Sequence, residues 1–391
     1  AVFVRANHGA SLVFSDSDSD AGSVAAGSGG TPDSREYYGG LLGPSTTPGE
    51  PGQAAGSALF LLGGTTTFTV SAGSTRVIAG SIADWEAEPG IIVKNGLGTL
   101  ALGTDNAFHG AIQVQAGTLD INGANAGGSI TLNPGATLSG NGTVGAITLG
   151  TGATLAPGPA IGTLTASNLA WTGDVNLNWK LYDASGAAGV GYDTLHILGA
   201  LDFSGITNFV VNCGTLSNNA ANAWGEAVHF TNTVSVSWTL VHTTGGITGF
   251  DAGKFHIGLT GANGVAGFAN DLGSGRLELA LSPDGLDLVL HFVAGQAIIL
   301  GAQETHVYGE APFDPGAGAS SGLPVEYAMV AGPAVVSNGL VVVTGAGAVR
   351  LRATQAGDAD YTAAAPFEIV FDVEPATPML TWATPAAVSY G

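Results

Sequence analysis

The residues of this 391-residue chain that are able to do chemistry are few and scattered. Eight histidines occur, at His8, His109, His196, His229, His242, His256, His291 and His306, with no HExxH and no close pair, so the spacing of a zinc hydrolase or a metal finger is missing. Cys213 is the only cysteine. It has no partner for a disulfide and no adjacent histidine or basic pair to activate it, which predicts a buried structural thiol. Acid–base work on a polysaccharide would need two carboxylates, and Asp271 with Glu278, or Asp84 with Glu86 and Glu88, offer them. Enzymes of that kind cluster carboxylates with Lys or Arg on one face, and nine basic residues in the whole chain are too few to build such a cluster.

Other strings fail on context. Asp16, Asp18 and Asp20 have the opening spacing of a calcium loop, but Ala21 stands where Gly is required and Gly27 where Glu is required, so a solvated acidic turn is expected. Gly140-Asn141-Gly142-Thr143-Val144-Gly145 matches a dinucleotide fingerprint without a following helix. Gly318-Ala319-Ser320-Ser321-Gly322 matches a hydrolase elbow, but it lies in a Pro- and Gly-rich loop. Trp171, Trp179, Trp224 and Trp238 would make a sugar-stacking strip if exposed; their alternating apolar neighbours predict core or end-cap positions. The sequence therefore assigns no catalytic, cofactor-binding or metal-ligating residue, and predicts a protein that is not an enzyme and needs no cofactor.

Nine Lys and Arg against thirty Asp and Glu give a formal charge of −21, which repels phosphate backbones and excludes nucleic acid as a partner. Charged residues make up only 10%, Gly fills 63 positions and hydrophobic residues reach 45%, a balance that favours an all-β repeat protein over a disordered chain. The least polar run, Leu288 to Ala302, is interrupted by His291 and Gln296 and is too short to span a bilayer, so no membrane insertion is expected. The chain opens at Ala1 without a basic and apolar leader, so any signal peptide has been removed or lies outside it.

The elements that must carry these residues are periodic. Gly98-Thr99-Leu100 returns as Gly117-Thr118-Leu119, with echoes at Ala136-Thr137-Leu138 and Ala153-Thr154-Leu155, so the marked leucines are 19, 19 and 17 residues apart. Short β-prone runs at a period near twenty, separated by Gly and Asn, predict coils that stack on copies of themselves. Alternation begins at Thr65, where TTTFTV and STRVIAG are period-two runs. Residues 1–64 open with strand-like AVFVR and SLVF and then turn Gly-, Ser- and Pro-rich, so irregular or first coils are expected there. About twenty residues per coil and about 4.8 Å between stacked strands predict a rod on the order of 50 Å long.

With Lys94, Gly96, Gly98-Thr99-Leu100, Leu102, Gly110, Val114, Gly117-Thr118-Leu119 and Asn122 in place, the pattern resembles the autotransporter-associated β-strand repeat of bacterial surface proteins. Leu155-Ala156-Pro157-Gly158, Ile161-Gly162-Thr163-Leu164, Gly191-Tyr192-Asp193 with Leu195 and Gly199, and Gly246 to Asp251 continue the likeness, which covers roughly residues 65–290. It implies a right-handed parallel β-helix passenger, exported and displayed at the bacterial surface, and it carries over no catalytic residue. Asp193 is expected to be a turn carboxylate that bonds backbone amides. The family's outer-membrane barrel has no counterpart in these residues.

Beyond Phe292 the pattern changes. Tyr308-Gly309 recurs as Tyr390-Gly391 at an offset of 82 residues, with strand candidates LPVEYAMV, GLVVVTG, AVRLRATQAG and FEIVFDV between them. Short strands at that density predict an immunoglobulin-like β-sandwich over 294–376. The run from Ala353 to Ala364 is similar to tandem immunoglobulin-like repeats of large bacterial surface proteins, which would make Tyr361 a corner tyrosine anchoring a loop. A second copy, 377–391, breaks off after one strand, as in a fragment of something longer. The expected role is a non-enzymatic surface protein with a β-helical stalk and spacer or adhesion repeats. Its expected partners are glycans, surface or matrix components and neighbouring domains of a longer chain.

Overall fold

The computed structural model describes residues 2–5, 11–14 and 59–382. Among them the protein is all-β, its helix confined to one 3-10 turn at Ala252–Lys254. The chain divides into two compact units, the first formed by Ala1–Phe230, Val236–Asp271 and Leu277–His291, the second by Thr231–Ser235, Leu272–Arg276 and Phe292–Gly391.

In the first unit the chain alternates between two parallel sheets, and each return lays a strand beside the one before it. The longer sheet starts at Ser11–Phe14 and Thr65–Thr69 and runs through Ile91–Asn95, Ala111–Val114, Ser129–Leu132, Thr143–Leu149 and Thr163–Trp171 to Thr194–Ile197 and Val236–Thr243. Every one of these eight inter-strand steps is parallel, about 40 Å in all at about 4.8 Å each. The other sheet stacks Thr75–Ile78, Thr99–Leu102, Thr118–Ile121, Thr137–Gly140, Ala153–Pro157, Val175–Leu181, Phe209–Thr215 and Phe255–Gly258, again all parallel. A third, short parallel sheet joins Val2–Arg5, Leu59–Leu62 and Ile82–Asp84, so strands stack in register before Thr65 as well as after it. Many-stranded parallel sheets threaded in this order are compatible with a β-helix. Residues 15–58, with Asp16, Asp18 and Asp20, lie outside the described residues.

The spacing of the marked leucines becomes a column. Leu100, Leu119, Leu138 and Leu155 are register partners on consecutive strands, and Leu177, Val211 and Ile257 extend the line. On the longer sheet Ile92, Ile112, Ile130, Ile147 and Leu169 form a matching line. The inward residues are buried and their neighbours in sequence face outward, the alternation a half-buried strand requires. Each Leu or Ile taken fully out of water contributes about 1.5–3 kcal/mol, so the two lines dominate the stability of the stack.

Corners are set by glycine where stacked backbones approach closely. A Cβ on Gly110 would lie 1.8 Å from Gly90 O, one on Gly128 2.5 Å from Gly110 O, and one on Gly145 1.9 Å from Gly128 O. These four residues form a second register, of absent side chains.

The second unit pairs its strands mainly antiparallel. Glu326–Ala331, Gly347–Thr354 and Phe367–Glu374 make consecutive antiparallel neighbours, and His306–Val307 adds a parallel edge. Two hairpin-like pairs, Ile298–Leu300 with Ala317–Ala319 and Ala334–Ser337 with Leu340–Val343, accompany that sheet. Its core joins Ile298, Val341, Val349, Leu351, Ile369, Phe371 and Val373. Residues 375–382 carry no strand, and Met379, Leu380 and Trp382 are almost fully exposed.

Candidate functional site

Carboxylates in the first unit are spent at the corners, where one coil must hold the next. Asp84, its side chain buried, accepts the His109 N–H at 3.0 Å and the Gly110 N–H at 3.0 Å, and lies 3.0 Å from His109 Nδ1. Asp105 accepts the Ala124 N–H at 2.8 Å, Asp120 the Ser139 hydroxyl at 2.9 Å, and Asp174 the Thr207 hydroxyl and Asn208 N–H, both at 2.7 Å. Each bond reaches about one coil ahead in sequence; Asp84, Asp105 and Asp174 satisfy backbone amides, while Asp120 joins two neighbouring strands through the Ser139 hydroxyl. The bond from the Thr207 hydroxyl holds the Asp174 carboxyl below the usual range. Asp84 is thereby removed from the expected acidic trio, while Glu86 and Glu88 are exposed. Asp271 is exposed and Glu278 half-buried on the strand Arg276–Leu281.

Two lysines do the complementary work on carbonyls. Lys94 occupies an inward position, in register with Phe68 on one side and Val114 on the other, and is fully buried. Its Nζ donates to Asn95 O at 3.0 Å, Gly96 O at 2.8 Å and Ala116 O at 3.0 Å. Burial lowers its pKa to about 8. Three carbonyl acceptors around an ammonium use every donor it has, which is how a cation is kept inside an apolar column.

Lys180 and Asp193 form a buried ion pair, Nζ to Oδ2 at 2.6 Å. Lys180 Nζ also donates to Pro157 O at 2.8 Å and Gly158 O at 3.1 Å, while Asp193 accepts the Gly162 N–H at 2.9 Å and the Lys180 N–H at 3.0 Å. Burial raises the Asp193 carboxyl to about 7, opposed by the Lys180 ammonium and the two backbone donors. Asp193 thus bonds backbone amides as expected, but its main partner is a lysine that the sequence did not single out. The pair ties three successive segments together and is closed to solvent, so it has no route to a substrate.

Around it lie the tryptophans. Trp179 and Trp238 are buried with ring centroids 5.7 Å apart, and their Nε1 atoms donate to Asp193 O at 2.7 Å and Ala184 O at 3.0 Å. Trp171 stacks on Phe203 at 4.9 Å. The four tryptophans therefore do not form an exposed strip. Cys213 sits in register with Trp179, buried, and burial pushes its thiol up, out of the nucleophilic range.

The remaining strings are local structure. Gly140 to Gly145 runs from the end of the strand Thr137–Gly140 through a bend at Asn141 and Gly142 into the strand Thr143–Leu149, with no helix after it. Ser320 Oγ accepts the Ala297 N–H at 3.0 Å, and Ser321 Oγ donates to Gln296 at 2.5 Å, so neither hydroxyl is set up as a nucleophile. The hydroxyl that anchors a loop in the second unit is that of Tyr327, which donates to Ala317 O at 2.9 Å and accepts the Ala317 N–H at 3.1 Å. Tyr361, expected in that role, makes its bond through the backbone, its N–H donating to Asp358 at 2.9 Å.

Sequence reasoning missed Lys94 and Lys180 as fastening residues. A signal existed: a lysine at an inward position of a period-two run, in a chain with nine basic residues, has to find buried acceptors. Among the described residues no group of three or more His, Cys, Asp or Glu is arranged to hold a metal ion, and no helix is long and apolar enough to cross a membrane. Neither the sequence models of known protein families nor curated protein sequences match the chain.

Proposed function

We propose that this is a non-enzymatic, exported bacterial surface protein, in which residues 65–290 form a right-handed parallel β-helix that serves as a stalk. Residues 294–376 form an immunoglobulin-like sandwich acting as a spacer or adhesion module. The observation that carries the reading is the unbroken register of the leucine and isoleucine lines, backed by corner bonds that use the acids and lysines for cohesion. A chain whose polar groups are committed to joining coil to coil has a mechanical rather than a chemical design. Antibodies raised against residues 65–290 should label intact, unpermeabilised cells of the source bacterium. Labelling only after permeabilisation would refute the proposal.

The competing reading is a carbohydrate- or matrix-binding adhesin. Burial of Trp179 and Trp238 removes the aromatic strip that would have favoured it. Binding on a glycan array, with or without calcium, would restore it. A polysaccharide-degrading enzyme has less support still, since Asp84 and Asp193 are bound to backbone amides and closed off from solvent.

A further inference from the structure

Thr165, His196 and His242 are register partners on three neighbouring strands of the longer sheet. Register partners on parallel strands about 4.8 Å apart stand side by side on one face. The rings of His196 and His242 lie with centroids 5.1 Å apart, tilted by 48°. Asp287 Oδ1 is 2.6 Å from His242 Nδ1, so that nitrogen is committed and Nε2 is the one left to bind, on a side chain that is 42% exposed. His196 Nε2 is buried and has no hydrogen-bond partner. A buried nitrogen in that state is unfavourable, and a ligand bound to it would relieve the penalty.

We propose that His196 and His242 form a two-histidine site for a late first-row divalent ion such as Cu2+, Ni2+ or Zn2+, with Asp287 as the positioning residue for His242. Imidazole nitrogens suit these ions, and a carboxylate on the far ring nitrogen of a ligating histidine fixes its tautomer and raises its basicity. Among the described residues no third His, Cys, Asp or Glu joins them, so the remaining positions fall to solvent. The two histidines are 46 residues apart in sequence, a spacing that carries no metal signature.

The experiment is calorimetric titration of the full chain with Cu2+ alone, paired with electron paramagnetic resonance of the bound ion. The expected result is a site whose spectrum shows two nitrogen ligands. His196→Gln and His242→Gln should each weaken it at least about tenfold, and Asp287→Asn about tenfold. His229→Gln, whose ring pairs with Asp183 elsewhere, should leave it unchanged. The ring of His242 is partly exposed, so its variant keeps the fold, which circular dichroism checks. Absence of uptake by the unaltered chain overturns the proposal. So does a two-nitrogen signal and affinity that persist in His242→Gln, which would place the ion elsewhere.

Discussion

A methyl group placed at Gly110 tests the stacking directly. Alanine there puts a Cβ 1.8 Å from Gly90 O and 2.8 Å from the Phe108 ring, where ordinary contact begins near 3.4 Å. The obstructing atom is backbone, so relief requires the coils carrying Ile91–Asn95 and Ala111–Val114 to part by more than about 1 Å at that corner, against a ladder of parallel hydrogen bonds. Overpacking of this kind costs about 1–3 kcal/mol, and loosening two ladder bonds adds about 0.5–1.5 kcal/mol each, for a total of about 2–6 kcal/mol. Gly103 is the control, because a Cβ there meets nothing within 4 Å. Gly103→Ala should stabilise by about 0.4–1 kcal/mol through the unfolded chain. For a unit of this size the melting temperatures should fall by about 4–24 °C and rise by about 1–4 °C respectively. Calorimetry measures both, and hydrogen exchange at Ile92 and Ile112 locates the loosening in Gly110→Ala. Equal behaviour of the two variants would refute the close-approach account, and with it the stacked register.

Three further outcomes follow from the charged groups. Lys180→Met alone should destabilise by about 3–5 kcal/mol by leaving Asp193 uncompensated, while Lys180→Met with Asp193→Leu should recover much of that loss in denaturant titrations. Lys94 has a folded pKa of about 8 against 10.5 for the free side chain, so between those values the unfolded chain holds a proton that the folded chain lacks. Stability should therefore rise with pH across that window, by up to about 3 kcal/mol relative to Lys94→Met, and identical pH profiles would count against it. At the acid end the sign is the same: the Asp174 carboxyl is held low chiefly by the Thr207 hydroxyl, so its contribution is present above about pH 4 and lost as pH falls further. Asp174→Asn should flatten that part of the acid unfolding curve.

Much of the first unit is legible in the sequence, and much of its polar chemistry is not. In a parallel stack a residue meets its counterpart one coil away, so a repeat of nearly constant length writes contacts into the primary structure. The Thr-Leu echoes and Gly110 could be read for that reason, and Leu100, Leu119, Leu138 and Leu155 stand in the register their spacing predicts. The loops 182–193 and 216–235 obey no period, and they bring Asp193 to Lys180 and Ala184 to Trp238. Tyr327 rather than Tyr361 anchors a loop because that choice depends on which hydroxyl reaches a carbonyl across the second unit.

What the sequence determined by itself was the all-β class and the stacked line of leucines, because translation along a stack turns periodicity into proximity. What only the tertiary structure decided was the fate of the charges. Burial makes an unpaired lysine or carboxylate too costly to keep, so Lys94, Lys180, Asp84 and Asp193 each end where acceptors or donors converge from segments distant in sequence. That convergence depends on three-dimensional placement, which no spacing along the chain encodes.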